Sequence, residues 1–396
     1  MAKPFNTPAH PVKQPTGDAS ETDRDNNSLP LYKILDADCK ASQIPRSLGA
    51  DDVKRMYEGM ILIRAFDERQ TKLQRSGRIG FCLTAFGEEA VQVATTHALR
   101  DTDWVYPYYR QHGILLYRGV PLETMTNQLF GNAGDLAKGR QMPVHYTHKD
   151  TRYVSFSSVI GTHMAHAVGT AMASRYKKSA EITVTYIGDG GTSSNDFHSA
   201  MTLAGIYKPP LVIFIVNNHY AISQPVAKQC AAETLHSKGE GYGVPSIRVD
   251  GNDFLAVYQV SRDAYDRARA GEGPTLIELV TYRVGPHSSS DDPSRYRGNE
   301  SDLWRNDALD PIARTRRFLT HAGLWNEAYE QSVWDQATSS INQAVTAAES
   351  SKHDPDWQSM FEDVYADMPP ALTRQMTQLL AREEGIVRTD SGEFPL

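Results

Sequence analysis

The chain has 396 residues, of which 41 are lysine or arginine and 48 are aspartate or glutamate, giving a formal net charge of -7. This length is ample for a large buried core, and the mild acidity argues against nucleic acid as a partner. The longest purely apolar run, residues 211–216, is far too short to cross a bilayer, so we expect no membrane span. Three cysteines without a CxxC pair predict neither a disulfide framework nor a zinc site, and they suit a reducing cytoplasm.

The first 47 residues differ from the rest in composition. Six prolines occur within residues 1–45, and an acidic cluster occupies residues 18–25. Signal peptides have an apolar core and transit peptides are arginine-rich and acid-poor, so neither matches. We predict that residues 1–47 form an N-terminal arm, partly disordered or laid across a partner, of a cytoplasmic protein.

A helix is predicted directly after this arm. Val53, Met56, Met60 and Ile63 recur at helical spacing, and Gly77 is a stop signal. This helix is expected to lead into the core.

A strand, a turn, a helix and a second strand are predicted between residues 181 and 216. Residues 181–187 are rich in β-branched side chains on alternating faces, which predicts a strand that Gly188 ends. In residues 194–207 the apolar side chains recur at helical spacing. Pro209 and Pro210 end that helix, and the apolar run that follows is typical of a parallel strand buried on both faces. With further strands expected at 246–249 and 276–282, residues 48–300 are predicted to form a doubly wound α/β domain, a mostly parallel sheet flanked by helices.

The pattern becomes helical beyond residue 300. Asp310 is a candidate N-cap followed by Pro311 in the first turn, and residues 326–351 read as one long polar helix. Residues 301–396 are therefore predicted to be a helical C-terminal region.

The turn after the first of these strands carries the most informative motif. The sequence Gly-Asp-Gly at 188–190 is followed, after 26 residues, by an Asn-Asn pair that ends in Asn218. Ligands of such sheets sit at the carboxyl ends of the strands, so Asp189 and Asn218 can meet at one ion. Mg²⁺ prefers oxygen ligands. Asp189 and Asn218 each offer one, and the backbone carbonyl near Tyr220 can supply a third ligand. Because Gly190 and Gly191 allow close approach of a diphosphate, the spacing predicts a thiamine diphosphate and magnesium site.

Other interpretations of this turn are weaker. Each half of the motif alone is more often ordinary turn chemistry. A dinucleotide site would need a third glycine where Ser193 stands, and no acidic residue ends the second strand.

Six further segments carry a family resemblance. They are TAFGEEAVQVA (84–94), YPYYRQHGILLYRG (106–119), KGRQMPVHY (138–146), SIRVDGNDFLAVY (246–258), TYRVGPHSSSDDPSRYR (281–297) and FEDVYADMP (361–369). From about residue 48 to the C-terminus the chain resembles the alpha subunit of the branched-chain 2-oxo acid dehydrogenase decarboxylase component. The alpha subunits for pyruvate and acetoin share the Gly-Asp-Gly and Asn-Asn pieces, but KGRQMPVHY and SSSDDPSRYR favour the branched-chain group.

The resemblance implies a reaction and an assembly. The enzyme would decarboxylate a branched-chain 2-oxo acid oxidatively with thiamine diphosphate and pass the acyl group to lipoyl groups of a transacylase. A separate beta subunit would supply the carboxylate for the aminopyrimidine end of the cofactor, in a heterotetramer of two alpha and two beta chains. The pyruvate or acetoin alpha subunit, a non-catalytic scaffold of the same fold and a nicotinamide-dependent oxidoreductase remain as alternatives.

The resemblance also assigns site residues. The cofactor contacts would be Tyr109, Arg110, Ser158, Ile160, Asp189, Gly190, Gly191, Asn218, Tyr220 and His287. Magnesium would be held by Asp189, Asn218 and Tyr220, and potassium by Ser157, Val159, Thr162 and His163. Histidines at 163 and 166 stand where glutamines are usual, and a neutral imidazole is a poor potassium ligand, so a loop with two ordinary histidines is the alternative to the potassium site. Val216 replaces an arginine of some members, so weaker cofactor binding is expected.

The loop at 283–297 is the candidate for chemistry on the substrate. His287 is its only readily titrating side chain and matches the active-site histidine of the family. Arg283 and Asp291 are expected to pair and hold the loop closed. Ser288 matches a position that is phosphorylated in some relatives, and the alternative is a polar surface loop with an incidental histidine.

Overall fold

The computed structural model describes residues 29–41, 43–306, 308–351, 358–362 and 364–383. Most of the predicted arm, residues 1–28, lies outside the described residues. The described strands are β1 (Trp104–Tyr106), β2 (Thr183–Gly188), β3 (Leu211–Asn217), β4 (Tyr220–Ala221), β5 (Gln224–Pro225), β6 (Ser246–Asp250) and β7 (Thr275–Val280). The helices up to residue 269 are α1 (Ala50–Arg75), α2 (Glu89–His97), α3 (Gly113–Tyr117), α4 (Leu122–Phe130), α5 (Thr162–Tyr176), α6 (Asn195–Tyr207), α7 (Lys238–Gly241) and α8 (Phe254–Arg269). The later ones are α9 (Glu300–Trp304), α10 (Pro311–His321), α11 (Glu327–Ser350), α12 (Ser359–Glu362) and α13 (Pro370–Glu383).

The central sheet confirms the predicted doubly wound fold. Among the described residues it has five parallel strands in the order β1-β2-β3-β7-β6. Every residue of β3 and β7 is buried, as expected for strands covered by helices on both faces.

The two faces of the sheet are covered by different helices. Val212 and Phe214 of β3 pack into the larger hydrophobic cluster, which includes α1, α2 and α8. Ile213 and Ile215, which point the other way, pack into a smaller cluster with residues of α5 and α6. This alternation follows from the two-residue period of a strand.

The predicted element boundaries hold within a few residues. Helix α1 ends at Arg75, and Gly77 has the positive φ of +72° that a helix stop requires. The exception is the strand predicted at 276–282, which ends at Val280 because its partner β3 ends at Asn217. Residues 281 and 282 instead begin the loop that leads to His287.

The helices after residue 300 pack on the same core. Asp310 caps α10 by accepting hydrogen bonds from the backbone N–H groups of Ile312 and Ala313. Phe318 of α10 and Ile341 of α11 belong to the larger cluster together with residues of α1. The helical character of the described C-terminal residues agrees with the sequence, while the division at residue 300 stays a prediction. No helix in the described part of the chain is long and apolar enough to cross a membrane.

Candidate active site

Asp189 and Asn218 leave the sheet at the same edge. Gly188 of β2 pairs with Val216 of β3, so the residues that follow the two strands are neighbours at the carboxyl edge. The Asp189 carboxylate is buried, and its hydrogen bond from Gln229 Nε2 is long, at 3.5 Å. Burial raises its pKa to about 7, although the positive charge of Arg283 opposes that rise. A buried carboxylate with such weak neutralisation is suited to a cation.

The turn after Asp189 can only be built from glycine. A Cβ on Gly190 would lie 2.3 Å from the Cβ of Ala221, and one on Gly191 would lie 2.4 Å from Ile187 Cγ1. The turn continues into α6, whose N-cap Ser194 accepts a hydrogen bond from the Phe197 N–H. The N-terminus of a helix carries partial positive charge, so this edge favours an anion such as a diphosphate.

The Asn218 amide is held by a residue that the sequence analysis did not single out. Its Nδ2 donates a 2.7 Å hydrogen bond to Oε1 of Glu88, and its Oδ1 accepts a 3.4 Å bond from the Tyr220 N–H. The Tyr220 carbonyl, the predicted third magnesium ligand, accepts a 2.9 Å bond from Arg283 Nη1. A carbonyl oxygen has two lone pairs, so one remains for an ion.

Tyr109, Arg110 and His287 lie together in the structure. The fully buried Arg110 donates from Nη1 to the Thr84 carbonyl at 2.7 Å and from Nη2 to the His287 carbonyl at 3.0 Å. The Nε atom of Arg110 lies 3.7 Å from Oε1 of Glu88, so this arginine forms an ion pair with a buried carboxylate as well. The Tyr109 ring meets the His287 ring edge-on, with centroids 5.6 Å apart.

The expectation that His287 titrates readily is wrong. Burial, with the nearby charges of Arg110 and Arg283, lowers its pKa to about 3, so the imidazole is neutral at neutral pH. Arg110 Nη2 lies 3.5 Å from His287 Nδ1. A guanidinium only donates, so the lone pair faces Arg110 and the ring proton lies on Nε2.

Arg283 and Asp291, which were expected to pair, are joined through the hydroxyl of Tyr296. Arg283 Nη2 donates a 2.8 Å hydrogen bond to the Tyr296 hydroxyl, which in turn donates a 2.6 Å bond to Asp291 Oδ2. The same carboxylate oxygen accepts a 2.7 Å bond from the His287 N–H. Arg297 donates to the carbonyls of Arg283 and Gly285. A tyrosine therefore links the two predicted partners, which pattern reasoning could not show because Tyr296 carries no charge.

The loop at 157–163 lies beside the glycine turn. A Cβ on Gly191 would lie 3.3 Å from Ile160 Cγ2, which places Ile160 at this edge. Ser158 Oγ shares a 2.6 Å hydrogen bond with His145 Nε2. His145 was missed by the sequence analysis, although it lies in the quoted KGRQMPVHY segment.

The four predicted potassium ligands lie in the loop before α5 and in the first turn of α5, where their polar atoms make hydrogen bonds within the protein. Ser157 Oγ accepts a 3.1 Å bond from the Val159 N–H, and Thr162 Oγ1 donates a 3.2 Å bond to the Val159 carbonyl. His163 Nε2 donates a 2.7 Å bond to the Tyr186 carbonyl, and burial lowers the pKa of this histidine. The potassium site stays a prediction. Val216, where some family members have an arginine, is fully buried in the core. As an uncharged side chain it makes no ionic contact with a diphosphate.

Comparisons with known proteins agree with this geometry. The family described as Dehydrogenase E1 component matches residues 57–356. The chain is 41% identical over 382 residues to the 2-oxoisovalerate dehydrogenase subunit alpha of Pseudomonas aeruginosa, covering 94% of this chain and 92% of that protein. It is 39% identical over 375 residues to the mitochondrial subunit alpha of Homo sapiens, covering 93% and 82%, respectively. The chain therefore belongs to the Dehydrogenase E1 component family, and the resemblance drawn from its motifs is confirmed.

Proposed function

We propose that this chain is the alpha subunit of a thiamine diphosphate-dependent 2-oxo acid dehydrogenase that decarboxylates 3-methyl-2-oxobutanoate and related branched-chain 2-oxo acids. The observation that carries the proposal is the meeting of Asp189, Asn218, Arg110 and His287 at one edge of a parallel sheet, in a chain of the E1 family. The same residues disfavour a non-catalytic scaffold, because a chain without a cofactor has no need of a buried, poorly neutralised carboxylate.

The residues of this edge fit magnesium and a diphosphate. The Asp189 carboxylate, the Asn218 amide oxygen and the Tyr220 carbonyl would hold Mg²⁺, since hard cations prefer oxygen ligands. The glycine turn and the start of α6 would receive the diphosphate, together with the Tyr109–Arg110 pair. Thiamine diphosphate, when bound, supplies the nucleophilic carbon for the keto group and accepts the electrons left by carbon dioxide. Potassium at residues 157–163 is retained as part of this proposal.

The role proposed for His287 is that of a hydrogen-bond donor at a fixed position. Because its Nδ1 faces Arg110, the neutral ring presents Nε2–H as a hydrogen-bond donor. Its backbone is held from both sides, by Asp291 at the N–H and by Arg110 at the carbonyl. A neutral donor held in this way can polarise a substrate oxygen through a hydrogen bond.

The active enzyme would contain a beta subunit as well. A surface formed by α5, α6 and the loop before α5 is poor in charge: Asp196 is the only acidic residue of α6, and Arg175 is the only Lys or Arg residue of α5. It exposes Val159, Ile160 and Ile206. An apolar surface beside the site supports docking of the beta subunit there. We propose two alpha and two beta chains, and a lipoyl transacylase as acyl acceptor.

The substrate proposal is tested by co-expressing the chain with a beta subunit. Dye reduction should then be faster with 3-methyl-2-oxobutanoate than with pyruvate, and the alpha chain alone should show no turnover. Faster reduction with pyruvate would favour the pyruvate alternative, and turnover by the alpha chain alone would refute the two-subunit enzyme.

The metal proposal is tested separately. Asp189→Ala should abolish binding of thiamine diphosphate in the presence of Mg²⁺, measured by calorimetry on the assembled enzyme. Asp266→Ala, an exposed change on α8, is the control and should bind normally. Unchanged affinity in the folded Asp189 variant would rule out this magnesium site.

A further inference from the structure

Two adjacent asparagines, the last residue of β3 and the one that follows it, are each held by their own buried glutamate. Asn217 Nδ2 donates a 2.7 Å hydrogen bond to Glu278 Oε1, and Asn218 Nδ2 donates a bond of the same length to Glu88 Oε1. Glu278 lies in the neighbouring strand β7, whereas Glu88 immediately precedes α2. Both carboxylates are fully buried. Such groups are costly to bury, so each must be bonded in the folded protein.

The Glu88 carboxylate is fixed by three residues from two different segments. Its Oε2 accepts a 2.6 Å hydrogen bond from the Tyr108 hydroxyl, while Oε1 accepts the Asn218 bond. Arg110 Nε lies 3.7 Å from the same Oε1. Two donors and one cation therefore hold this carboxyl group, and its oxygens accept from both donors. Its own position is determined before any ligand binds.

The orientation of the Asn218 amide follows from this arrangement. An amide has a donating end and an accepting end, and the bond to Glu88 selects which one faces the carboxylate. The NH₂ group must point at Glu88, so Oδ1 is turned to the opposite side, where it accepts the Tyr220 N–H. Rotation of the amide by half a turn would place NH₂ there, and an NH₂ group cannot bind a cation.

We propose that Glu88 is a positioning residue that keeps the oxygen of Asn218, and not its nitrogen, on the side of the magnesium site. The inference rests on the proposed function, because it takes Asn218 as a magnesium ligand. Groups that orient metal ligands typically change metal affinity by about 10- to 100-fold when substituted. Glu278 accepts the same kind of hydrogen bond from Asn217, which is not one of the proposed magnesium ligands. Glu278 therefore serves as a matched control.

The test is a calorimetric titration with Mg²⁺. The assembled alpha–beta enzyme is first freed of metal, and thiamine diphosphate is kept in excess. Glu88→Met removes the acceptor for the Asn218 NH₂ group, so the amide is free to turn and the Mg²⁺ dissociation constant should rise by about 10- to 100-fold. In Glu278→Met the dissociation constant should change by less than about threefold, whatever the loss of thermal stability.

The outcomes separate the inference from the proposed function. Thiamine diphosphate binding that needs no Mg²⁺ in the wild type would refute the magnesium site itself. A wild type that needs Mg²⁺ together with an unchanged Glu88→Met, or an equal loss in Glu278→Met, would overturn the role of Glu88. If Glu88→Met does not fold, Glu88→Asp decides. It keeps the charge beside Arg110 but withdraws the carboxylate from Asn218, so the same loss of affinity is expected.

Discussion

The segments at 283–297 and 157–163 flank the same sheet edge and differ in how fully the chain holds and covers them. In the first, Arg110, Arg297 and Tyr296 bond the loop through long side chains from inside and outside it. The second is bonded from outside at its ends, by His145 to Ser158 and by His163 to Tyr186. Between them Val159 is 63% and Ile160 44% exposed. The difference indicates that the chain completes the histidine side of the site alone and leaves the other side for a partner to cover.

The largest effect should come from His287 in the anchored loop. His287→Ala should lower the dehydrogenase activity of the assembled enzyme by about a hundredfold or more, the usual scale for a hydrogen-bond donor aimed at the reacting oxygen. The loop is held mainly through backbone atoms, so the free energy of unfolding should change by at most about 0.5 kcal/mol.

Rates should be compared at saturating thiamine diphosphate, in case cofactor affinity falls too. His321→Ala, exposed on α10, is the control and should keep full activity. Near-normal activity of the His287 variant would make this histidine a bystander and remove the contrast between the loops.

The next effect concerns the exposed loop. Ile160→Asp places a charge on an apolar surface that a partner would bury, so affinity for the beta subunit should fall by about tenfold or more. Sedimentation of the mixed subunits would measure it, with Leu303→Asp, at an exposed position on α9, as control. Normal assembly of the Ile160 variant would show that the partner covers another surface.

Removing the tyrosine that links Arg283 to Asp291 should loosen the anchored loop. Tyr296→Phe loses a donor and an acceptor at once, which should destabilise the loop by about 1–2 kcal/mol. Hydrogen exchange of residues 283–297 should accelerate, while that of residues 157–163 should not change. Equal acceleration in both loops would mean that they are not independently held.

The smallest effect is on pH dependence. The pKa of His287 is about 3 in the folded protein, far below the ordinary value of 6.5, so the unfolded chain binds the proton between these values and the folded chain does not. Stability is therefore unaffected above pH 6.5 and falls as the pH drops below it. Relative to His287→Gln, the wild type should lose about 1 kcal/mol between neutral pH and about pH 5.5. Denaturant melts of both proteins at the two pH values would show it, and parallel curves would mean that His287 titrates normally.

The sequence alone was enough for the elements and for the corner of the site that lies next to strands. Apolar periodicity and the prolines at 209 and 210 place β2, α6 and β3 almost to the residue. Because parallel strands bring their carboxyl ends to one edge, the positions of Asp189 and Asn218 in the chain suffice to predict that they meet. These patterns are local, and the one long-range rule they need holds for any sheet of this class.

Tertiary structure decided which side chains complete that corner and in what state. Glu88 is 130 residues from Asn218, and Arg110 is 177 residues from His287, so no local pattern could pair them. The neutral state of His287 and the bridging role of Tyr296 depend on burial and on charges brought from other segments. Side-chain partners and pKa values are properties of the packed environment, which spacing in one sequence does not specify.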